Sequence, residues 1–284
     1  MQQRPLREGD RLRRRYVITQ ISHLSNASVL YKALDEGAHP ARHCAIKERA
    51  IEALGADRAA AVAAFLHRSA RLTALAHPAI PPVLDYFVED DRTYLVTDFV
   101  EGRDLEELLY DPDVEFTPAQ IVKWGIELCD ALHYLHTRFP EPLIFRDLKP
   151  ANLIVSPQGR IWLVDLDTIA HPSDALAEPP LGTEGYAAPE QYEGIVSPAI
   201  DIYALGVCLY HLLTRRDPRL EPPFSFAERS PRSHNPDVPE ALAAVVMRAL
   251  SLDPVARFAS AAEMAAALQQ LMLEEKAASG TPSE

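Results

Sequence analysis

From Tyr16 to about Val100 the apolar residues come in short β-type runs. Tyr16–Ile21, Ser28–Ala33, Arg42–Lys47, Val83–Val88 and Thr93–Val100 are rich in Val, Ile, Tyr and Phe. Polar turns separate them, which is the pattern of strands in an antiparallel sheet. Between the third and fourth runs, Asp57 to Ala76 is an Ala/Leu/Arg stretch without Gly or Pro, ended by His77-Pro78, and predicts one helix. Beyond residue 103 the pattern becomes mainly helical. Thr117-Pro118-Ala119-Gln120 has the spacing of an N-terminal cap with proline at the first helical position, opening a helix to about Arg138. Two short strands are expected at Leu153–Val155 and Ile161–Val164, joined by Ser156-Pro157-Gln158-Gly159. Further helices fit Pro198–Leu213, Pro239–Ser251 and Ser260–Met272, the last opening on Ser260-x-x-Glu263. The expected fold class is α+β, a small antiparallel β lobe with one helix followed by a larger, mainly helical lobe. The boundaries read as 1-15 for an N-terminal extension, 16-100 and 101-273 for the two lobes, and 274-284 for a flexible tail without apolar content to bury.

Composition narrows the function classes. The 284 residues carry 28 basic and 41 acidic side chains, a net charge of −13, which repels phosphate backbones and anionic lipid and argues against nucleic-acid binding. No uncharged apolar run approaches the roughly 18 residues of a membrane span, and the basic start MQQRPLREGDRLRRRY lacks the apolar stretch of a secretory signal. Cys44, Cys129 and Cys208 are odd in number and lie in apolar settings; they read as reduced core cysteines of a cytoplasmic protein.

The residues that suggest chemistry are concentrated between 145 and 167. Phe145-Arg146-Asp147-Leu148-Lys149-Pro150-Ala151-Asn152 is followed, after the expected hairpin, by Val164-Asp165-Leu166-Asp167. Asp147, Lys149, Asn152 and Asp165 put acceptors and a cation into one loop system, equipment suited to Mg²⁺ and phosphate beside a hydroxyl nucleophile. Taken alone, the same residues also fit an ordinary polar loop.

Their context is specific. Ala45-Ile46-Lys47, the run Tyr94 to Gly102, the Phe-Arg-Asp loop, Gly182-Thr183 through Ala188-Pro189-Glu190, Asp201-Ile202-Tyr203-Ala204-Leu205-Gly206 and Asp253-Pro254-x-x-Arg257-Phe258 follow in one order. With these motifs the chain resembles the eukaryotic-type (Hanks-type) protein kinase family, especially its bacterial serine/threonine members, from about Tyr16 to Leu271. The resemblance implies a protein-kinase-like bilobal fold, ATP and Mg²⁺ as cofactors, and transfer of the γ-phosphoryl group to Ser/Thr hydroxyls of a protein substrate. It further implies Asp147 at the acceptor hydroxyl, Lys149 at the transferring phosphoryl group, and Asn152 and Asp165 as metal ligands. Lys47 would contact the α- and β-phosphates. Backbone groups from Asp98 to Val100 would read the adenine edge, with Thr97 as gatekeeper and Asp104 near the ribose. Val29, Ala45 and Ile154 would sandwich the adenine ring. Thr183 would brace the catalytic loop, and Glu190 and Arg257 would form a buried ion pair.

Several positions depart from the family. The phosphate-covering pattern G-x-G-x-x-G-x-V falls on Ser22 to Val29 with no glycine, although glycines there let backbone N–H groups reach phosphate. Arg68 stands where the helix glutamate is expected, and no Asp or Glu lies between Arg58 and Leu84. Phe145 replaces a histidine, Leu166 a phenylalanine and Asp167 a glycine. Thr168 and Ser173 are candidate phosphosites for pairing with Arg146, with Asp174 and Glu178 as permanent alternatives. These departures leave a second reading open, a pseudokinase that regulates a partner protein with or without nucleotide.

Overall fold

The computed structural model describes residues 5–25, 28–51, 57–175 and 181–278. It divides into two compact units, Met1–Glu101 and Gly102–Glu284.

The first unit is a six-stranded antiparallel sheet. Its strands are β1 (Arg11–Leu12), β2 (Tyr16–Leu24), β3 (Ser28–Asp35), β4 (Arg42–Ala50), β5 (Val83–Glu89) and β6 (Arg92–Asp98), in the order β1-β2-β3-β4-β6-β5. Strict alternation decides which face is buried. Val29, Tyr31, Ala33 and Asp35 of β3 and Cys44, Ile46 and Glu48 of β4 are all buried, and their neighbours are not. The register pairs Val29 with Glu48, Tyr31 with Ile46 and Ala33 with Cys44, so these residues share one face. Leu12, Tyr16, Ile18, Phe87, Tyr94 and Val96 complete that core, and Leu6 packs on it. At about 1.5–3 kcal/mol for each large side chain, this burial is what holds the unit together. The residues before Tyr16 therefore belong to the unit: β1 pairs with β2, and Arg15 holds the fully buried Asp35 through two bonds of 2.7 and 2.8 Å.

Helix α1 (Arg58–Leu72) packs on β5 and β6. Asp57 caps it by accepting from Ala59 and Ala60 N–H. It stops short of the expected Ala76 because the Thr73 hydroxyl bonds the Ala70 carbonyl and its N–H turns to Ser69 and Arg71. The last strand ends at Asp98 rather than Val100, where pairing runs out at Cys44 and the Asp98 N–H donates to Pro82.

The second unit joins a three-stranded sheet, β7 (Arg103–Asp104), β8 (Leu153–Val155) and β9 (Ile161–Leu163), to helices α2 (Leu105–Tyr110), α3 (Pro118–Thr137), α4 (Pro172–Ala175), α5 (Pro198–Thr214), α6 (Pro231–His234), α7 (Glu240–Ala249) and α8 (Ala261–Ala278). The Thr117 hydroxyl caps α3 at Gln120 N–H, as its spacing predicts. Helix α5 is buried all round from Ile200 to Leu213 and packs against α3 and α7. Gly206 permits the closest approach, since a Cβ there would stand 2.8 Å from that of Ala249. Ser260 caps α8 at Glu263 N–H, while the Glu263 carboxylate reaches back to Ala259 rather than to Ser260. The helix continues past Met272 to Ala278.

Among the described residues no helix is long and apolar enough to cross a membrane. Cys44, Cys129 and Cys208 are free and buried, and burial pushes the Cys44 thiol up to about 12.

Candidate functional site

The segment Phe145–Asn152 is irregular, so its shape depends on what holds its backbone. Asp201, on the buried helix α5, accepts the N–H groups of Phe145 at 2.8 Å and Arg146 at 2.9 Å. Its carboxylate also meets His136 Nε2 at 2.9 Å, and both side chains are nearly sealed from solvent. Arg146 is thereby held at φ +71°, a left-handed conformation rarely adopted by long side chains. Gln191 donates to the Arg146 carbonyl at 2.7 Å, and the Arg146 Nε donates to the Thr168 carbonyl at 2.6 Å.

Asp147 follows this anchored turn. Its Oδ1 accepts from the Thr183 hydroxyl at 2.6 Å, and its Oδ2 lies 2.9 Å from Lys149 Nζ. Lys149 in turn donates to Thr183 Oγ1 at 2.9 Å, which closes a triangle. The brace expected of Thr183 is present in this form. Asn152 donates its Nδ2 to the Asp147 carbonyl at 2.8 Å, which turns its Oδ1 away from that bond.

Asn152 and Asp165 are brought together by the small sheet. Leu153 pairs with Leu163, and the Val164 N–H donates to the Asn152 carbonyl at 2.9 Å, so Asp165 emerges beside Asn152. Asp165 is half-buried and left-handed, φ +69°, at the start of a single 3₁₀ turn over Leu166–Thr168. Among the described residues no group of three or more His, Cys, Asp or Glu side chains could hold a metal. One amide oxygen with one carboxylate is nevertheless a fitting set for Mg²⁺, which keeps waters and takes substrate phosphates as its other ligands. Asp104 and Ile154 are register partners on β7 and β8. Asp104 also caps α2 at Glu107 N–H, and burial pushes its carboxyl up.

In the first unit, Ala45 and Lys47 lie half-buried on the face of β4 away from the core. Their partners across β6 are Thr97 and Leu95, so Thr97 shares the face of Lys47. Asp98 ends β6 with a salt bridge of 3.3 Å to Arg42, and Val100 is half-buried beyond it.

Val29 requires a correction. It pairs with Glu48 and belongs to the opposite, core face, so it cannot line a pocket with Ala45. Leu30, the partner of Lys47, has the right orientation. The phosphate-loop pattern accordingly shifts by one residue, to His23–Leu30, still without glycine. Asn26 and Ala27 lie outside the described residues. On either side of them, Ser25 and Ser28 tie the hairpin tip: the Ser28 N–H donates to Ser25 Oγ, and the Ser25 hydroxyl donates to the Ser28 carbonyl, both at 3.1 Å. Helix α1 carries no acidic side chain; Arg68 on it is half-buried.

The segment after Asp165 overturns one expectation. Thr168 is 6% exposed and donates its hydroxyl to the Phe145 and Asp165 carbonyls at 3.0 and 3.3 Å. It is an internal strut, inaccessible to a modifying enzyme. Ser173 is exposed, its hydroxyl donating to Glu141 at 2.8 Å. Glu178 lies outside the described residues. Leu166 and Phe145 are buried, in keeping with their apolar replacements. Glu190 and Arg257 form the expected buried pair through two bonds of 2.5 and 2.9 Å, and Arg257 also donates to three carbonyls. Sequence reading missed His136 and Gln191 as anchors. His136 continues the i+4 row Trp124, Leu128, Leu132 on α3, and a polar residue in a buried stripe is the signal that marked it.

Comparison with known proteins agrees with this geometry. The family described as "Protein kinase domain" matches residues 27–269. Serine/threonine-protein kinase PknB of Mycobacterium tuberculosis is 31% identical over 278 residues, 88% of this chain and 44% of that protein. Serine/threonine-protein kinase PrkC of Bacillus subtilis is 29% identical over 219 residues, 71% of this chain and 32% of that protein. The chain thus spans less than half the length of these curated relatives. The crystal structure of the Mycobacterium tuberculosis PknI kinase domain matches with a TM-score of 0.71 and 26% identity, covering 94% of this chain and 99% of that one. With a family match across most of its length and a relative above 30% identity, this chain belongs to the protein kinase domain family.

Proposed function

We propose that the chain transfers the γ-phosphoryl group of Mg-ATP to Ser/Thr hydroxyls of a protein substrate. One observation carries the reading: the Asp147 carboxylate is fixed by Thr183 on one oxygen and Lys149 on the other, on a backbone locked by Asp201. Such a carboxylate orients an acceptor hydroxyl and accepts its proton, while the Lys149 ammonium offsets charge building on the transferred group. Asn152 and Asp165 would hold Mg²⁺, which supplies neutralisation of phosphate charge when bound. Asp104 and Ile154 in the second unit, and Ala45, Leu30, Lys47 and the backbone of Asp98 and Val100 in the first, would hold the nucleotide. Lys149 at its position favours Ser/Thr over tyrosine acceptors by resemblance.

A second reading, a regulatory pseudokinase, is favoured by the loop without glycine and by α1 without an acid. Melting curves with ATP, with and without Mg²⁺, test binding, because a ligand of the native state raises its stability. Radiolabelled transfer to a generic basic protein tests chemistry. Transfer that falls by about 100-fold or more in Asp147→Asn supports the kinase; a Mg-ATP shift without Asp147-dependent transfer supports the pseudokinase instead.

A further inference from the structure

Directly after Thr183 the chain forms one wall of a pocket of about 220 Å³, lined by Glu184, Tyr192, Pro218, Pro222, Phe224 and Phe226 among others. It is built rather than accidental. Gly185 takes φ +84° where a Cβ would stand 2.9 Å from the Arg219 backbone nitrogen. Phe224 is held at φ +57°, a conformation a bulky residue adopts only when its surroundings impose it. Arg229 clasps the loop on either side of it through Glu221, Ser225 and the Pro222 carbonyl, with its guanidinium over the Phe226 ring at 5.6 Å.

The chemistry of the lining selects the guest. Tyr192 meets Phe224 in a T-shaped pair, 5.9 Å between centroids, and with 54% of its surface exposed it offers the pocket an accessible aromatic ring. The Glu184 carboxylate is exposed and forms no salt bridge or hydrogen bond among the described residues. It lies close enough to Tyr192 to add to the burial that raises that hydroxyl. The neighbouring cations are already committed, Arg219 to Asp217 and Glu106 and Arg229 to Glu221. An anionic guest would meet Glu184, and an aliphatic one would strip water from that carboxylate without replacing it. A cation gains from both the aromatic face and the carboxylate, and a chain of net charge −13 attracts basic partners from a distance.

We infer that this pocket takes a Lys or Arg side chain of the protein that presents its hydroxyl to Asp147, an inference that rests on the kinase reading. The test uses the full chain and fluorescein-labelled serine peptides, identical except for Arg, Leu or Glu placed at each of three positions on either side of the serine. Anisotropy titration should find at least one Arg peptide about five- to tenfold tighter than its Leu counterpart. That ratio should fall to near one in Glu184→Gln, shrink in Tyr192→Ala, and turn in favour of Glu in Glu184→Lys. Leu peptides that bind as well, no binding by any peptide, or an Arg preference that survives Glu184→Gln overturns the inference. Transfer to the same peptides separates the two readings. Selectivity without transfer overturns the kinase alone, and transfer without selectivity overturns the pocket alone.

Discussion

Replacing Asp201 by alanine removes the anchor of the Phe145–Asn152 loop while leaving Asp147, Lys149, Asn152 and Thr183 in place. The carboxylate is 1% exposed and accepts from Phe145 N–H, Arg146 N–H and His136. Each buried donor left without an acceptor costs about 1–3 kcal/mol. Three such losses are partly offset because a charge no longer has to be desolvated, giving a net of about 3–5 kcal/mol. The melting point of a domain of this size falls by about 2–4 °C for each kcal/mol, so a drop of roughly 6–20 °C is expected. Trp124 and Trp162 are the only tryptophans and both lie in the second unit, so their fluorescence follows that unit selectively. Asp201→Asn, which keeps one acceptor oxygen, should lose about half as much stability. At 15 °C, where it stays folded, it should still lose most Asp147-dependent transfer, because one of the two N–H groups that fix the Phe145–Arg146 turn loses its acceptor and the φ of +71° at Arg146 is held less firmly. An Asp201→Ala protein that melts within 2 °C of the parent would refute this account of the loop.

Two further outcomes are expected. His211 is buried and receives the Tyr186 hydroxyl on Nδ1 at 2.7 Å, and burial lowers its pKa from 6.5 to about 4. The unfolded chain therefore gains a proton that the folded one refuses, so about 3 kcal/mol of stability, present above pH 6.5, is lost as pH falls toward 4; urea midpoints across that range should show the slope, and His211→Asn should flatten it. In the first unit, Arg15→Ala leaves the buried Asp35 carboxylate, among the described residues, with the Gly37 N–H as its hydrogen-bond donor. Because the guanidinium is partly exposed the cost is about 2–4 kcal/mol, read as faster hydrogen exchange of β2, β3 and β4 amides.

The elements with strong local signals were legible in the sequence, and those set by pairing were not. Thr117 and Asp57 cap their helices through their own side chains, and the alternation in β3 marks a strand without help from its neighbours. Arg11–Leu12 and Arg103–Asp104 are strands only because β2 and β8 supply partners; two residues carry no periodicity of their own. At the site, spacing brought Asp147, Lys149, Asn152 and Asp165 to attention. Val29 was misassigned because one residue of register turns a side chain to the other face, and only the pairing with Glu48 reveals which face that is. Thr168 looked like an exposed loop hydroxyl because sequence does not show the carbonyls of Phe145 and Asp165 that surround it.

The departures from the family are unevenly distributed, and that distribution predicts which kinetic constant suffers. Asp147, Lys149, Asn152, Asp165 and Thr183 all belong to the second unit, and Asp147 is bonded to Lys149, Asn152 and Thr183. The missing glycines and the helix without an acid belong to the first. Contacts made alike in the ground state and the transition state set KM, whereas those that strengthen at the transition state set kcat. Serine hydroxyls tie the hairpin tip where glycine N–H groups would approach phosphate, which weakens a contact of the first kind. The expected enzyme therefore has a high KM for ATP and an ordinary kcat. Substituting Ser25→Gly together with Ser28→Gly should lower KM for ATP by about threefold or more with kcat within about twofold, since a recovered hydrogen bond is worth about 1 kcal/mol. If kcat instead rises tenfold at constant KM, the loop acts on the transition state and the division between binding and chemistry drawn here is wrong.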